Sequence, residues 1–196
     1  MNLTGLNPLA CALFLVAAFV LAGLCQAAWL ASPRSWRFGA PIDGGRLFRG
    51  RRLFGENKTW RGFVVMVPAT GASFGLLSIA AAGSSTPVAG VWPLSPIAYV
   101  GLGLLAGAGF MAGELPNSFL KRQLDIPAGA AARGSITRPL FFLIDRIDSA
   151  ASMMLALSLA VPVPWPTWLY VALVGPALHG LFSLLVFRLG GKARAA

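Results

Sequence analysis

Histidine, cysteine and acidic residues are scarce in this 196-residue chain, and each scarcity closes off some chemistry. The one histidine, His179, falls in the middle of an apolar run, where a packing role is expected rather than that of a general base. The cysteines, Cys11 and Cys25, both lie in the first apolar run. On one helix they stand about 21 Å apart, beyond disulfide reach. No CxxC pair or Cys/His cluster points to zinc or to redox chemistry. GxxxxGK[ST] and GxSxG are also missing, which removes the P-loop and the hydrolase elbow. Only six acids face sixteen Lys and Arg, for a net charge of +10, yet all charged residues together make up just 11% of the chain. A soluble domain carries about 25%.

What fills the space is hydrophobic: 57% of residues are apolar and mean hydropathy is +0.73. The fold class read from this is an all-α integral membrane protein of about five transmembrane helices, forming one domain over residues 1–196. The runs long enough to span are at about 9–30, 63–82, 97–113, 142–161 and 168–187. Between them, loops 32–61 and 114–138 collect most of the cations, while the turns near 83–96 and 162–166 have none. The positive-inside rule then places the charged loops and the C-terminus in the cytoplasm and the N-terminus outside, in a cell membrane. No Lys or Arg precedes the first run, so a cleaved signal peptide is not expected. Cations flanking apolar runs are accounted for by topology and membrane lipid headgroups, and nucleic acid is not an expected partner. Oligomeric state is not readable, and a homodimer stays open. Gly101, Gly103, Gly107 and Gly109 suit the third span to close packing inside the bundle.

Chemistry concentrates in three places. Gly55 Glu56 Asn57 Lys58 Thr59 Trp60 Arg61 Gly62 sets a turn, an acid, an amide, a hydroxyl and cations directly before a span. Such a stretch can present backbone N–H groups and positive charge to a phosphate, although a solvated basic loop has the same composition. Glu114 ends the third run and is followed by Asn117, Ser118, Lys121 and Arg122, readable as a metal ligand plus a phosphate clamp or as interfacial capping. Asp145 and Asp148 are three apart and share a helical face, a half-site for Mg²⁺. Only residues 149–161 remain before Pro162, too few to cross roughly 30 Å, so both acids must sit within the membrane's edge. Ionisable groups at that depth are expensive and mark function, with metal or Arg146 as partner; a purely structural Asp–Arg pair is the alternative.

These residues resemble a known family. Gly55 to Gly62 is similar to the signature loop of the CDP-archaeol synthases, integral-membrane relatives of CDP-diacylglycerol synthases. Ser118 Phe119 Leu120 Lys121 Arg122 and Asp145 Arg146 Ile147 Asp148 Ser149 resemble the Ser-x-x-Lys-Arg … Asp-Arg-x-Asp signature of the latter. The Lys-Asp and Pro-Gly-His-Gly-Gly block of CDP-diacylglycerol synthases is absent, with Pro127 Ala128 Gly129 and Arg133 Gly134 Ser135 in that region, which favours the shorter archaeol-type branch. The resemblance implies a CTP-dependent cytidylyltransferase acting at the cytoplasmic side. It would convert a lipid phosphate, digeranylgeranylglyceryl phosphate-like or phosphatidic acid, to a CDP-lipid with release of pyrophosphate. Under it, Lys58, Arg61, Lys121 and Arg122 neutralise the phosphates, Gly55, Asn57, Thr59 and Ser118 bind substrate, and Asp145, Asp148 and Glu114 hold Mg²⁺. Two other readings remain in play: a CDP-alcohol phosphatidyltransferase, for which Asp43 Gly44 Gly45 is a faint sign, and a non-catalytic transporter or scaffold protein.

Overall fold

Each apolar run becomes a helix, and polar residues ahead of the first and third supply side-chain caps. In a computed structural model the described residues are 5–83 and 90–189, the side chains of residues 83 and 179 excepted. Helices α1 (Pro8–Ala31), α2 (Trp60–Gly83), α3 (Pro96–Gln123), α4 (Thr137–Ala160) and α5 (Trp165–Arg188) carry the fold. A 3-10 helix, Pro33–Phe38, and a hairpin of β1 (Leu47–Phe48) and β2 (Arg51–Arg52) occupy the first charged loop. Asn7 caps α1 by accepting from the Leu9 and Ala10 amides at 2.9 and 3.1 Å, with Pro8 at the first helical position. Ser95 and Pro96 repeat the arrangement on α3.

Helix α1 packs on α2 and α5, α3 on α2 and α4, and α4 on α5, so the five helices close into a ring. Small residues on α3 set how closely its neighbours approach. A Cβ added at Gly103 would meet the Thr70 carbonyl at 2.6 Å on α2, and one at Gly113 would meet the Ser152 Cβ at 2.4 Å on α4. Without glycine there the backbones could not come together. Phe14, Phe74, Tyr99, Leu157 and Trp92 fill the centre. Trp92, expected only as part of an outer loop, is 1% exposed and plugs that end of the bundle, its indole N–H donating to the Pro162 carbonyl at 2.8 Å.

Helices α1, α2, α3 and α5 are long and apolar enough to cross a membrane, and large apolar side chains such as Leu13, Ile79 and Leu173 face outward where lipid would cover them. The protein is a multi-pass membrane protein. Helix α4 has 24 residues, length enough to span, but Asp145, Arg146 and Asp148 lower its hydropathy. Two expectations need correction. The third helix does not end at Gly113: it runs through Pro116 to Gln123, so residues 114–123 are helical and not loop. Its 28 residues make about 42 Å, longer than the roughly 30 Å hydrocarbon core, and its polar last turns project beyond the apolar part of the bundle. The first charged loop, read only as a loop, holds a 3-10 helix and the small hairpin. Lys192, Arg194 and residues 84–89 of the outer loop lie outside the described residues, as does the His179 side chain.

Candidate functional site

The first charged loop is folded around one carboxylate. Asp43, 4% exposed, accepts from both Arg52 Nε and Nη2, at 3.2 and 2.6 Å, and from the Gly45, Phe54 and Gly55 amides at 3.0, 3.1 and 3.1 Å. Burial works to raise its pKa, but these charge-assisted hydrogen bonds outweigh it and hold the carboxyl well below the usual carboxylate range. Arg52 is raised in turn, chiefly by its hydrogen bond to Asp43. Asp43 is therefore the hub of the loop, and its neighbourhood to Gly44 and Gly45 is a turn rather than a sign of phosphatidyltransferase chemistry. Arg49 and Gly50, with φ of 51° and 77°, make the hairpin turn. Gly55, at φ +95°, lies against Arg122 and Ala128, where a Cβ would be crowded at 3.4 and 3.3 Å. The chain leaves the loop by pairing Pro41 with Thr59, Ile42 N–H with the Lys58 carbonyl, and Trp60 N–H with the Ala40 carbonyl.

This loop delivers Lys58 to α3 and α4. Its ammonium pairs with Glu114 Oε2. Burial pulls the Lys58 pKa down, but the charge and hydrogen bond of Glu114, with Asp148 and Asp145 beyond, raise it further than burial lowers it. Ser149 Oγ donates to Glu114 Oε1 at 3.2 Å and its backbone N–H to Asp148 Oδ1 at 2.7 Å. Asn117 Nδ2 donates to both Asp145 Oδ1, at 2.6 Å, and Asp148 Oδ2, at 2.9 Å. Lys121 Nζ closes the series on Asp145, at 2.5 and 2.6 Å to its two oxygens, and lies 5.5 Å from the Phe141 ring centroid. A continuous polar chain thus runs Lys58, Glu114, Ser149, Asp148, Asn117, Asp145, Lys121. Glu114, Asn117 and Lys121 follow i, i+3, i+7 spacing on one face of α3, and the Gly113 contact brings that face onto α4.

Of the residues the sequence singled out, Lys58, Glu114, Lys121, Asp145 and Asp148 are brought together. Gly55 and Arg122 meet next door, around a cavity of about 340 Å³. Ser118 is buried on α3 one turn before Arg122, Asn57 is exposed beside Gly55, and Thr59 is held in the loop's exit pairing. Arg61 is elsewhere. It is 6% exposed, donates to Ser35 Oγ at 2.7 and 3.1 Å and to the Leu30 carbonyl at 2.8 Å, and lies 3.9 Å from the Trp36 ring centroid. It ties α2 to the end of α1 instead of facing the acids. Arg146, considered as a partner for the acids, stacks on Phe142 at 3.6 Å and donates to that residue's carbonyl.

Two members of the chain were noted in the sequence but given no role of their own. Asn117 sits at the centre, yet ending α3 at Gly113 hid its helical spacing from Glu114 and Lys121. Ser149 was visible only as the end of a motif. Among the described residues no group of three or more His, Cys, Asp or Glu is gathered as a metal cage, and Glu114 is engaged by Lys58 and Ser149. The donor set nevertheless fits Mg²⁺. Asn117 holds one oxygen each of Asp145 and Asp148 about a common point, all donors are hard oxygens, and the buried Asn117 Oδ1 has no partner. Mg²⁺ is commonly held by one or two carboxylates with water and substrate phosphates completing its shell.

Fold and site together define a polytopic membrane protein with a cation–carboxylate centre at one end of its helical ring. The chain belongs to the CDP-archaeol synthase family: the family model described as CarS-like, CDP-archaeol synthase, matches residues 14–194. It is 36% identical over 161 residues to the CDP-archaeol synthase of Halobacterium salinarum, covering 79% of this chain and 82% of that one. It is 33% identical over 174 residues to that of Methanosphaerula palustris, covering 84% and 96%, and 31% identical over 173 residues to that of Thermococcus onnurineus, covering 83% and 86%. No solved structure matches.

Proposed function

We propose that this protein is a CTP-dependent cytidylyltransferase that joins CMP to a membrane lipid phosphate at the cytoplasmic face and releases pyrophosphate. The observation that carries the reading is the unbroken polar chain from Lys58 to Lys121, in which residues of all three family motifs are joined through Glu114 and Asn117. Because its relatives are named for CDP-archaeol, a digeranylgeranylglyceryl phosphate-like lipid is the preferred acceptor, with phosphatidic acid as the comparator.

An oxygen of the lipid phosphate bonds to the α-phosphorus of CTP, the bond to the α,β-bridging oxygen breaks, and its electron pair leaves with pyrophosphate. The nucleophile is already anionic, so the chain needs no general base, and the polar chain contains no histidine. Lys58 and Lys121 fix Glu114 and Asp145 and place positive charge beside the triphosphate, preorganised so that no reorganisation is needed as charge shifts to the leaving group. Asn117 orients Asp145 and Asp148, the residues that would hold Mg²⁺. The ion, when bound, would neutralise the phosphate oxygens. Ser118, Asn57 and Thr59, with the backbone at Gly55, are the expected hydrogen-bonding groups for the nucleotide. With the acids near the start of α4, at the depth the sequence spacing suggests for the membrane's edge, a lipid phosphate would reach them without leaving the bilayer.

The test incubates the purified protein in lipid nanodiscs with labelled CTP, Mg²⁺ and each lipid phosphate. A CDP-lipid from at least one acceptor is expected. No product from any of them, with the fold intact, would return the protein to the non-catalytic reading.

A further inference from the structure

Exposed apolar side chains meet unpaired cations at the tip of the β1–β2 hairpin, away from the polar chain. Leu47 and Phe48, 62% and 44% exposed, directly precede the turn at Arg49 and Gly50. As neighbours on a strand they belong to opposite faces of the ribbon, so the tip is apolar on both faces. The other two cations of the ribbon are engaged. Arg51, opposite Phe48, pairs with Asp125 at 2.6 Å and donates to the Gln123 carbonyl, and Arg52, opposite Leu47, pairs with Asp43. Arg46 and Arg49 are left over. Both are exposed, and neither guanidinium makes a hydrogen bond or ion pair among the described residues; that of Arg49 lies 5.3 Å from the Phe48 ring centroid. Exposed apolar surface rimmed by charge marks an interaction site. The fold also fixes its level. The hairpin rests on the last turns of α3, through the Phe48 and Phe119 rings at 5.6 Å and through the Arg51 contacts. Helix α3, with 28 residues and about 42 Å, matches a bilayer taken with its headgroup layers, roughly 40–45 Å, so its last turns end among headgroups. Leu120 and Leu124, one turn apart there, are exposed as well, and exposed Trp36 and Trp60 give this end of the bundle an interfacial character.

We propose that the hairpin tip is a docking site for the anionic phospholipids of the leaflet beside it, with Arg46 and Arg49 on headgroup phosphates and Leu47 and Phe48 at the acyl boundary. Charge complementarity and continuity with the membrane-crossing helices select this occupant. An acidic protein would match the arginines but would cover one face of the ribbon and leave the other apolar residue in water, whereas a lipid layer surrounds a tip from both sides. Each arginine near an anionic surface favours the docked state by about fivefold, and the pair by about 30-fold. The docked ribbon is also the one whose Arg52 holds Asp43, so the loop that delivers Lys58 is tied to the membrane surface. The inference goes beyond the cytidylyltransferase reading and does not depend on it.

The experiment labels Leu47→Cys, in the full chain with Cys11 and Cys25 replaced, with a polarity-sensitive fluorophore. The protein is reconstituted as a single copy per nanodisc, in phosphatidylcholine with or without phosphatidylglycerol. Quenching by lipids brominated on their acyl chains reads insertion of the tip, and thermal melting controls for the fold. Quenching should be severalfold stronger with phosphatidylglycerol, should weaken as salt is raised, and should fall to the phosphatidylcholine level when Arg46→Gln and Arg49→Gln are combined. If that double variant melts early, the salt titration of the labelled parent chain carries the same test. Quenching that is absent in both lipids, or equal in both and indifferent to salt and to the arginines, overturns the proposal. So does a label that responds only when two copies share a disc, which would make the tip an interface between copies.

Discussion

Asp43, Arg61 and Asp148 each carry a charge in this protein, and their surroundings set them to different tasks. Asp43 is an anion whose oxygens accept from Arg52 and three backbone amides, so its contribution is to shape. Asp43→Asn should cost about 1–3 kcal/mol, read as a lower melting temperature in nanodiscs. The pH dependence follows from the lowered pKa. The folded state prefers the ionised form, so Asp43 stabilises the protein fully above the ordinary carboxylate pKa of about 4, and that contribution is lost as pH falls below it. The acid limb of the melting profile should flatten in Asp43→Asn. Arg61 is expected to act in the same structural way: Arg61→Lys should lower the melting temperature while the folded fraction keeps its KM for CTP, because the lost contacts are to Ser35, Leu30 and Trp36. Asp148→Asn belongs to the site. It should reduce CDP-lipid formation by roughly 10²–10³-fold with little change in melting, and retained turnover would remove Asp148 from the proposed metal site.

At the scale of elements, α3 decides where everything else goes. Its glycines face two neighbours, Gly103 and Gly107 toward α2 and Gly109 and Gly113 toward α4, and the last pair sets how closely the acids of α4 approach Asn117 and Lys121. Gly113→Leu would drive a side chain into Ser152 and the Asp148 carbonyl, which a Cβ alone meets at 2.4 and 2.8 Å. It should therefore abolish CDP-lipid formation while Gly101→Leu, where a Cβ meets nothing, leaves it near wild type; a parallel activity series with a folding control checks this. The glycines were legible as close-packing residues in the sequence, but which glycine faces which helix was not. Spacing puts Gly109 and Gly113 on one face, and only the packed ring says that α4 lies there. The length of α3 was hidden for a related reason. Glu114 closes the apolar run and Pro116 is a helix-ending signal in isolation, but the helix runs on to Gln123, with Asn117 and Lys121 held by α4.

For the whole molecule, the ring of helices gathers the signature loop, the end of α3 and the start of α4 at one end, opposite the plug formed by Trp92. By the positive-inside rule, the Lys and Arg distribution is the ground for proposing that this end faces the cytoplasm. In a variant with Cys11 and Cys25 replaced, Arg49→Cys should react with a membrane-impermeant thiol reagent only from the cytoplasmic side and Ser95→Cys only from the outside. The reverse pattern would invert the proposed topology and move the site to the outer face.

The sequence by itself determined the membrane class, the five helical runs and the three motifs, because hydrophobicity, charge placement and residue spacing are properties of the linear chain. It also named most of the centre: Lys58, Glu114, Lys121, Asp145 and Asp148. Only the tertiary structure decided how those residues are divided, since contacts between distant segments have no signature in spacing. It was packing that turned Arg61 away to Ser35 and Trp36, made Asp43 the hub of a loop, and gave Glu114 to Lys58. It also set Asn117 between the two aspartates and left the buried Nε of Arg122 without an acceptor.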